Sequence, residues 1–216
     1  FIQHNLGKKN MAVNIATKEG QAICYELIKD ADVVIENFSP GVMKQHNMDW
    51  DTLKEINPGL VMCSISCFGQ DGPLSNLPGF DWIGQSYAGI IDLLGKKNET
   101  PVFGDFAFGD IATGAHAYGA IVTALMHRMR GGKGQHIDIS LIEVLFSFHE
   151  LSVQLYDTTD GQMLATRAGP DHHLLAPAGI FKCKDRYVFI VGLNQWAGLC
   201  KTIGRDDWIK DERFKN

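Results

Sequence analysis

An α/β fold built on a parallel sheet is what the first 140 residues predict, and three observations predict it. Strand-like and helix-like stretches alternate over the first 70 residues, in the order strand, helix, strand, helices, strand. Two of the strands, "DVVIENF" and "GLVMCSISCFG", are near-continuous apolar runs, the type that parallel sheets bury on both faces. A long Ala- and Gly-rich helix then leads through a glycine turn into a further strand, "GQHIDISL".

The elements follow in order. "NMAVNI" alternates and predicts a short strand. "TKEGQAICYELIKDA" carries Ala22, Ile23, Leu27 and Ile28 at helical spacing, with Thr17 as its N-cap. After the strand "DVVIENF" come two short helices, "PGVMKQHN" and "DWDTLKEINP". Asp49 or Asp51 can cap the second, and Pro58 ends it. Past the strand "GLVMCSISCFG", "QDGPLSNLPG" is a loop, and "FDWIGQSYAGIIDLLG" predicts one helix closed by Gly95. A second loop precedes "DIATGAHAYGAIVTALMHRMRGG", a long helix with Arg128 and Arg130 at its end, where cations suit the dipole. "IEVLFSFHELSVQLYD" predicts another helix, and "IFKCKDRYVFIVG" a hairpin turning at Lys184-Asp185. "NQWAGLCKTIG" and "DWIKDERF" predict short closing helices. Composition turns polar and glycine-broken near Thr158. Residues 1–157 are therefore expected to form the large domain, 158–178 a linker and active-site loop, and 179–216 part of a smaller α+β domain.

Charge and composition exclude several classes. The net charge is -5 with no basic stripe, which argues against nucleic acid as a partner. No apolar run approaches the roughly 20 residues that span a bilayer. The five cysteines are an odd set without zinc spacing, which predicts reduced thiols, no metal and a cytoplasmic setting. Neither GxxxxGK[ST] nor GxGxxG occurs, and the histidines, His172 and His173 among them, form no Ser-His-Asp order. The opening at Phe1 and the abrupt end read as a piece of a longer protein.

Two stretches carry candidate chemistry. In "GDFAFGDIATGAH", Asp110 opens the long helix, and the plain reading is a helix cap. The small residues Gly109, Ala112, Gly114 and Ala115 around it leave room for a second molecule, and a carboxylate kept ionised there is a competent nucleophile. In "VIENFSPGV", Asn37 and Phe38 sit at the carboxyl end of a strand, where α/β sheets bind ligands. Its plain reading is a turn that needs Asn, Pro and Gly. Lys8 and Lys9 in "NLGKKN" can meet an anion or stay solvated.

These residues resemble the class III CoA-transferases, which include formyl-CoA transferase and carnitine-type enzymes; alpha-methylacyl-CoA racemase shares their fold. The likeness rests on "KKNMAVNI", "ADVVIENFSPGV", "INPGLVMCSISCFGQDGP", "GFDWIGQSYAGI", "GDIATGAHAYGAIVTALMHR", "GKGQHIDISL" and "DDWIKDERF", in family order. It implies a Rossmann-like large domain, a smaller second domain, and an interlocked homodimer in which two ring-like chains thread through each other. It also implies that the chain is about half of the whole protein. Asp110 falls on the family's catalytic aspartate. Asp81, Gly109 and Gln85 fall among active-site lining residues. Asn37, Phe38, Pro40, Lys8 and Lys9 fall in segments expected to bind coenzyme A. The implied reaction moves CoA between an acyl-CoA and a carboxylic acid through an aspartyl anhydride and thioester, with no permanently bound cofactor. Two departures stand out. Gln45 and His46 replace a basic residue expected near the CoA phosphates, and "DHHLLAPAG" replaces a glycine-rich lid. The racemase's histidine position reads Phe80, which cannot carry a proton, so transfer is expected over racemisation. A non-catalytic CoA-binding protein is the remaining alternative.

Overall fold

A computed structural model describes residues 2–172, 174–192 and 194–214. Tertiary contacts divide it into two units, Phe1–Ala88 with Phe106–Phe148, and Gly89–Asp105 with His149–Asn216. Residues 89–105 and 149–157, which the sequence reading grouped with 1–157, thus pack within the second unit.

The first unit holds α1 (Ile2–Asn5), α2 (Lys18–Lys29), β1 (Val33–Glu36), α3 (Val42–Gln45), α4 (Trp50–Ile56), β2 (Val61–Ser66), α5 (Asp81–Tyr87), α6 (Phe108–Met129), β3 (Gln135–Ser140) and α7 (Leu141–Phe146). Its sheet runs β1-β2-β3, all parallel, with Glu36 opposite Ser64 and Ser66 opposite Ser140. Both faces are covered, as a parallel sheet requires. On one face Cys63 packs with Ala117 and Ile121 of α6. On the other, Met62 packs with Ile28, Met43 and Leu53. The α6 positions Gly109, Thr113, Ala117, Ile121 and Ala124 are buried at a spacing of three to four, which lays one stripe of the helix against the core. Thr17 caps α2 as expected, accepting from the Gly20 N–H at 3.0 Å.

Three local expectations are corrected. "NMAVNI" is not a strand; among the described residues it has no ladder partner. Strand β1 lies at an edge of the three-strand sheet, and Ile35 is 61% exposed, so only β2 has the full burial that its apolar run suggests. The two long helices predicted at 80–95 and 142–157 are each interrupted. The first stops after Tyr87 and gives way to a 3-10 turn at Ile91–Leu93, with Gly89 between them at φ 79, a conformation that costs glycine little. The second divides into α7 and α8 (Ser152–Thr158).

The second unit contains α8, the antiparallel pair β4 (Ala178–Lys182) and β5 (Tyr187–Val191), and α9 (Trp196–Thr202). The hairpin is as expected, with Cys183 N–H donating to Arg186 C=O at 2.7 Å across the Lys184-Asp185 turn. Trp196, Trp208 and Phe214 pack together beside it. Among the described residues, no helix is long and apolar enough to cross a membrane.

Candidate active site

Asp110 does not cap α6. The helix begins at Phe108, with Ala107 in the cap position, so Asp110 is its third residue. An alanine has no side-chain acceptor for the orphan N–H groups of a first turn. The acceptor comes instead from another helix. Asp110 N–H donates to Asp81 Oδ2 at 2.8 Å, a bond that spans 29 positions of sequence. Asp81 opens α5 and is 5% exposed. Its other oxygen, Oδ1, accepts from Gln85 Nε2 one turn further along α5. Gln85 is itself buried.

Gly109 makes this approach possible. A Cβ on Gly109 would stand 3.2 Å from Asp81 Oδ2 and 3.1 Å from Leu145 Cδ1, closer than side-chain carbons normally pack. Gly109→Ala is expected to force Asp81 or α6 aside and lower stability by about 1–2 kcal/mol, read as a shift in denaturation midpoint. An unchanged midpoint would mean that α5 and α6 separate freely at this point.

The electrostatics follow from the pairing. The Asp110 carboxyl is pushed above the ordinary carboxylate range, first by burial and second by the Asp81 charge. The residue as a whole remains exposed, because one side of α6 is open there, and a Cβ at Gly114 would meet nothing within 4 Å. Cys67, just past β2, has its thiol raised by burial and then by Asp110, which places it on the same side of the site.

The turn after β1 forms a second limb. Asn37 Nδ2 donates to Ile65 C=O at 2.7 Å, and Phe38 N–H donates to Glu36 Oε2 at 2.8 Å. Glu36 is buried, and this bond accounts for an acid at the end of an apolar strand. Asn37, Phe38 and Pro40 line a cavity of about 100 Å³ with Cys67 and Gly79. Gly79 is held there sterically, since its Cβ would lie 2.4 Å from Cys67 Sγ. Cys67 thus lines the turn cavity and lies within electrostatic reach of Asp110. Lys8 and Lys9 are exposed and are not among the lining residues.

Two members of this arrangement, Cys67 and Glu36, are not among the residues expected from the sequence. Cys67 lines the turn cavity, and Asp110 helps to raise its thiol. Glu36 is a buried acid in an apolar strand, a pattern that signals a waiting donor. At the α6 start, the N–H groups of Phe108, Asp110 and Ile111 are engaged by Phe106 C=O, Asp81 and Ala107 C=O. His116 is satisfied within its helix by Ala112 C=O and packs edge-on to Phe148. In the second unit, Asp171, His172, Leu175 and Pro177 line a cavity of about 620 Å³ with Trp196 and Phe214. His173 lies outside the described residues. Among the described residues, no group of His, Cys, Asp or Glu is placed to hold a metal ion.

Comparison with known proteins bears on what such a site serves. The family model described as CoA-transferase family III matches residues 1–216. An acyl-CoA transferase of Fusarium pseudograminearum is 38% identical over 99% of this chain and 47% of its own length. The human succinyl-CoA:glutarate CoA-transferase is 34% identical over 100% of this chain and 49% of its own. A CAIB/BAIF family protein from Brucella suis superposes with a TM-score of 0.83 at 36% identity, over 96% of this chain and 55% of that one. The chain therefore spans about half the length of the relatives it matches.

Proposed function

Because the chain belongs to CoA-transferase family III, we propose that the whole protein moves coenzyme A from an acyl-CoA thioester to a free carboxylic acid, with Asp110 as the nucleophile. The observation that carries this reading is the Asp81–Asp110 pair. Asp110 has its backbone fixed by a second carboxylate, one side open, and a carboxyl raised by burial and by Asp81. In its ionised form a raised carboxyl is a stronger nucleophile than an ordinary one.

The steps balance without a redox partner. An Asp110 carboxylate oxygen attacks the thioester carbonyl, the C–S bond breaks, and CoA leaves as thiolate from a mixed anhydride. The thiolate attacks the aspartyl carbonyl of that anhydride, releasing the donor acid and leaving an aspartyl-CoA thioester. The acceptor carboxylate attacks this thioester and expels CoA thiolate, giving a second anhydride. Attack of the thiolate on its acyl carbonyl yields the new acyl-CoA and restores Asp110. No proton is gained or lost over the cycle. Asn37, Phe38 and Pro40 are the residues proposed to take the CoA, with the Phe38 ring, 47% exposed, as a stacking surface for the adenine. Lys8 and Lys9 are proposed to meet the phosphates. A homodimer and a cytoplasmic setting belong to the same proposal.

Racemisation would need a proton-carrying group at position 80, and Phe80 offers none. The test is interception in the full-length protein. Incubation with a panel of acyl-CoA donors, then hydroxylamine, should convert Asp110 to its hydroxamate, located by peptide mass. Succinate and glutarate, the acids named for a relative, head the acceptor panel. Transfer without any modification at Asp110 would remove it from the reaction. Cα proton exchange in heavy water, with no acceptor consumed, would favour the racemase.

A further inference from the structure

We propose that Gln85 is the positioning residue of this site: its side-chain N–H, donated to Asp81 Oδ1, fixes the Asp81 carboxylate so that Oδ2 holds the Asp110 backbone and sets how the Asp110 carboxyl is presented. This rests on the reading of Asp110 as nucleophile.

The geometry is a relay of three residues across two helices. Gln85 and Asp81 stand four apart on α5, which puts them on one face. They are 3% and 5% exposed, so water does not substitute for either partner at low cost. Both Asp81 oxygens accept, one from an amide N–H and one from a backbone N–H. That is the bonding pattern of an ionised carboxylate, and it leaves the Gln85 amide a single orientation, with nitrogen toward Asp81. Without the Gln85 donor, Asp81 Oδ1 would be buried and unpaired. The carboxylate would turn away, which removes a fixed anion from beside Asp110. Burial apart, the Asp81 charge is what raises the Asp110 carboxyl. Cys67 is a thiol raised by burial, and Glu143 of α7 is engaged by the Ser140 hydroxyl at 2.6 Å. On α6 itself, His116 bonds Ala112 C=O.

The effect is read on the Asp110 carboxyl directly, apart from turnover. The full-length protein is labelled with a carbodiimide and an amine across a pH series, and the Asp110 peptide is quantified by mass. In the wild type, labelling of Asp110 should persist to higher pH than that of ordinary surface carboxyls. Gln85→Met keeps the side-chain volume without the donor. It is expected to move the Asp110 midpoint down, and to lower kcat about 10-fold with KM changed less than about 2-fold. Asp81→Asn should produce the same downward move, and Gln85→Met on that background should add nothing. An unmoved midpoint in Gln85→Met, or shifts that simply add in the double variant, would overturn the proposal.

Gln85→Glu guards against a folding defect. Glutamic acid can donate to Asp81 only when protonated. Its deficit in thermal midpoint relative to wild type should therefore shrink as the pH is lowered toward about 5. A deficit constant with pH would mean that position 85 matters only as volume. Because labelling needs no substrate, it tests the Gln85 relay even if no donor and acceptor pair supports transfer, and the loss of transfer alone would count against the function rather than the relay.

Discussion

Asp110→Ala in the full-length protein is expected to lower kcat for CoA transfer by about 10,000-fold or more, while CoA still binds. A nucleophile that carries a covalent intermediate has no partial substitute. Deleting such a group costs about 5 kcal/mol or more of transition-state stabilisation. Binding should survive, because the turn at Asn37 and Phe38 is built by Ile65 C=O and Glu36, neither of which depends on Asp110. Steady-state kinetics with calorimetry of CoA binding would check both halves, and transfer within about 10-fold of wild type would exclude Asp110 as the nucleophile. The pH dependence has a definite sign. The attacking form is the carboxylate, and its pKa is raised from 3.8 by burial first and by Asp81 second. As pH falls through that raised value the nucleophile is protonated and kcat/KM is lost. The acidic limb of the profile should therefore lie above the ordinary carboxylate range.

Leu145→Ala is expected to destabilise the first unit by about 3–4 kcal/mol. Leu145 is 0% exposed on α7. Its Cδ1 would lie 3.1 Å from a Cβ on Gly109 of α6 and 3.4 Å from one on Gly84 of α5. It is therefore wedged where the two helices bearing Asp110 and Asp81 meet. Truncation leaves a hole against two glycines, which have no side chains to fill it. The loss should then sit toward the upper part of the range for buried leucines, rather than near that for sites able to collapse. Chemical denaturation would measure it. Leu145→Met, which keeps the volume, should cost less than about 1.5 kcal/mol. Equal losses for the two variants would show that a cavity is not the cause.

Much of the frame is written in local pattern. The apolar run "LVMCSIS" predicts a fully buried strand, and β2 is one, because its neighbours on both sides are also strands of this chain. The run "VVI" looks the same, yet β1 is half-buried; its position at an edge is a property of the sheet and not of the run. Thr17 caps α2 through a bond three residues away, a range that local sequence does encode. The same logic applied to Asp110 gave the wrong cap.

The sequence by itself determined the alternation of strands and helices, the hairpin at residues 178–191, and Asp110 and the Asn37–Phe38 turn as positions to watch. Periodicity and turn chemistry act over a few residues, so a few residues suffice to read them. Only the tertiary structure decided what surrounds Asp110. Asp81 is 29 positions away, and Gln85 and Leu145 are equally silent in the local pattern of "GDFAFGDIATGAH". They meet because Gly109 has no Cβ; one there would stand 3.2 Å from Asp81 Oδ2 and force it aside. A glycine in sequence says only that the chain can approach something. The fold supplies what it approaches, and here that is the carboxylate that holds α6 at its start.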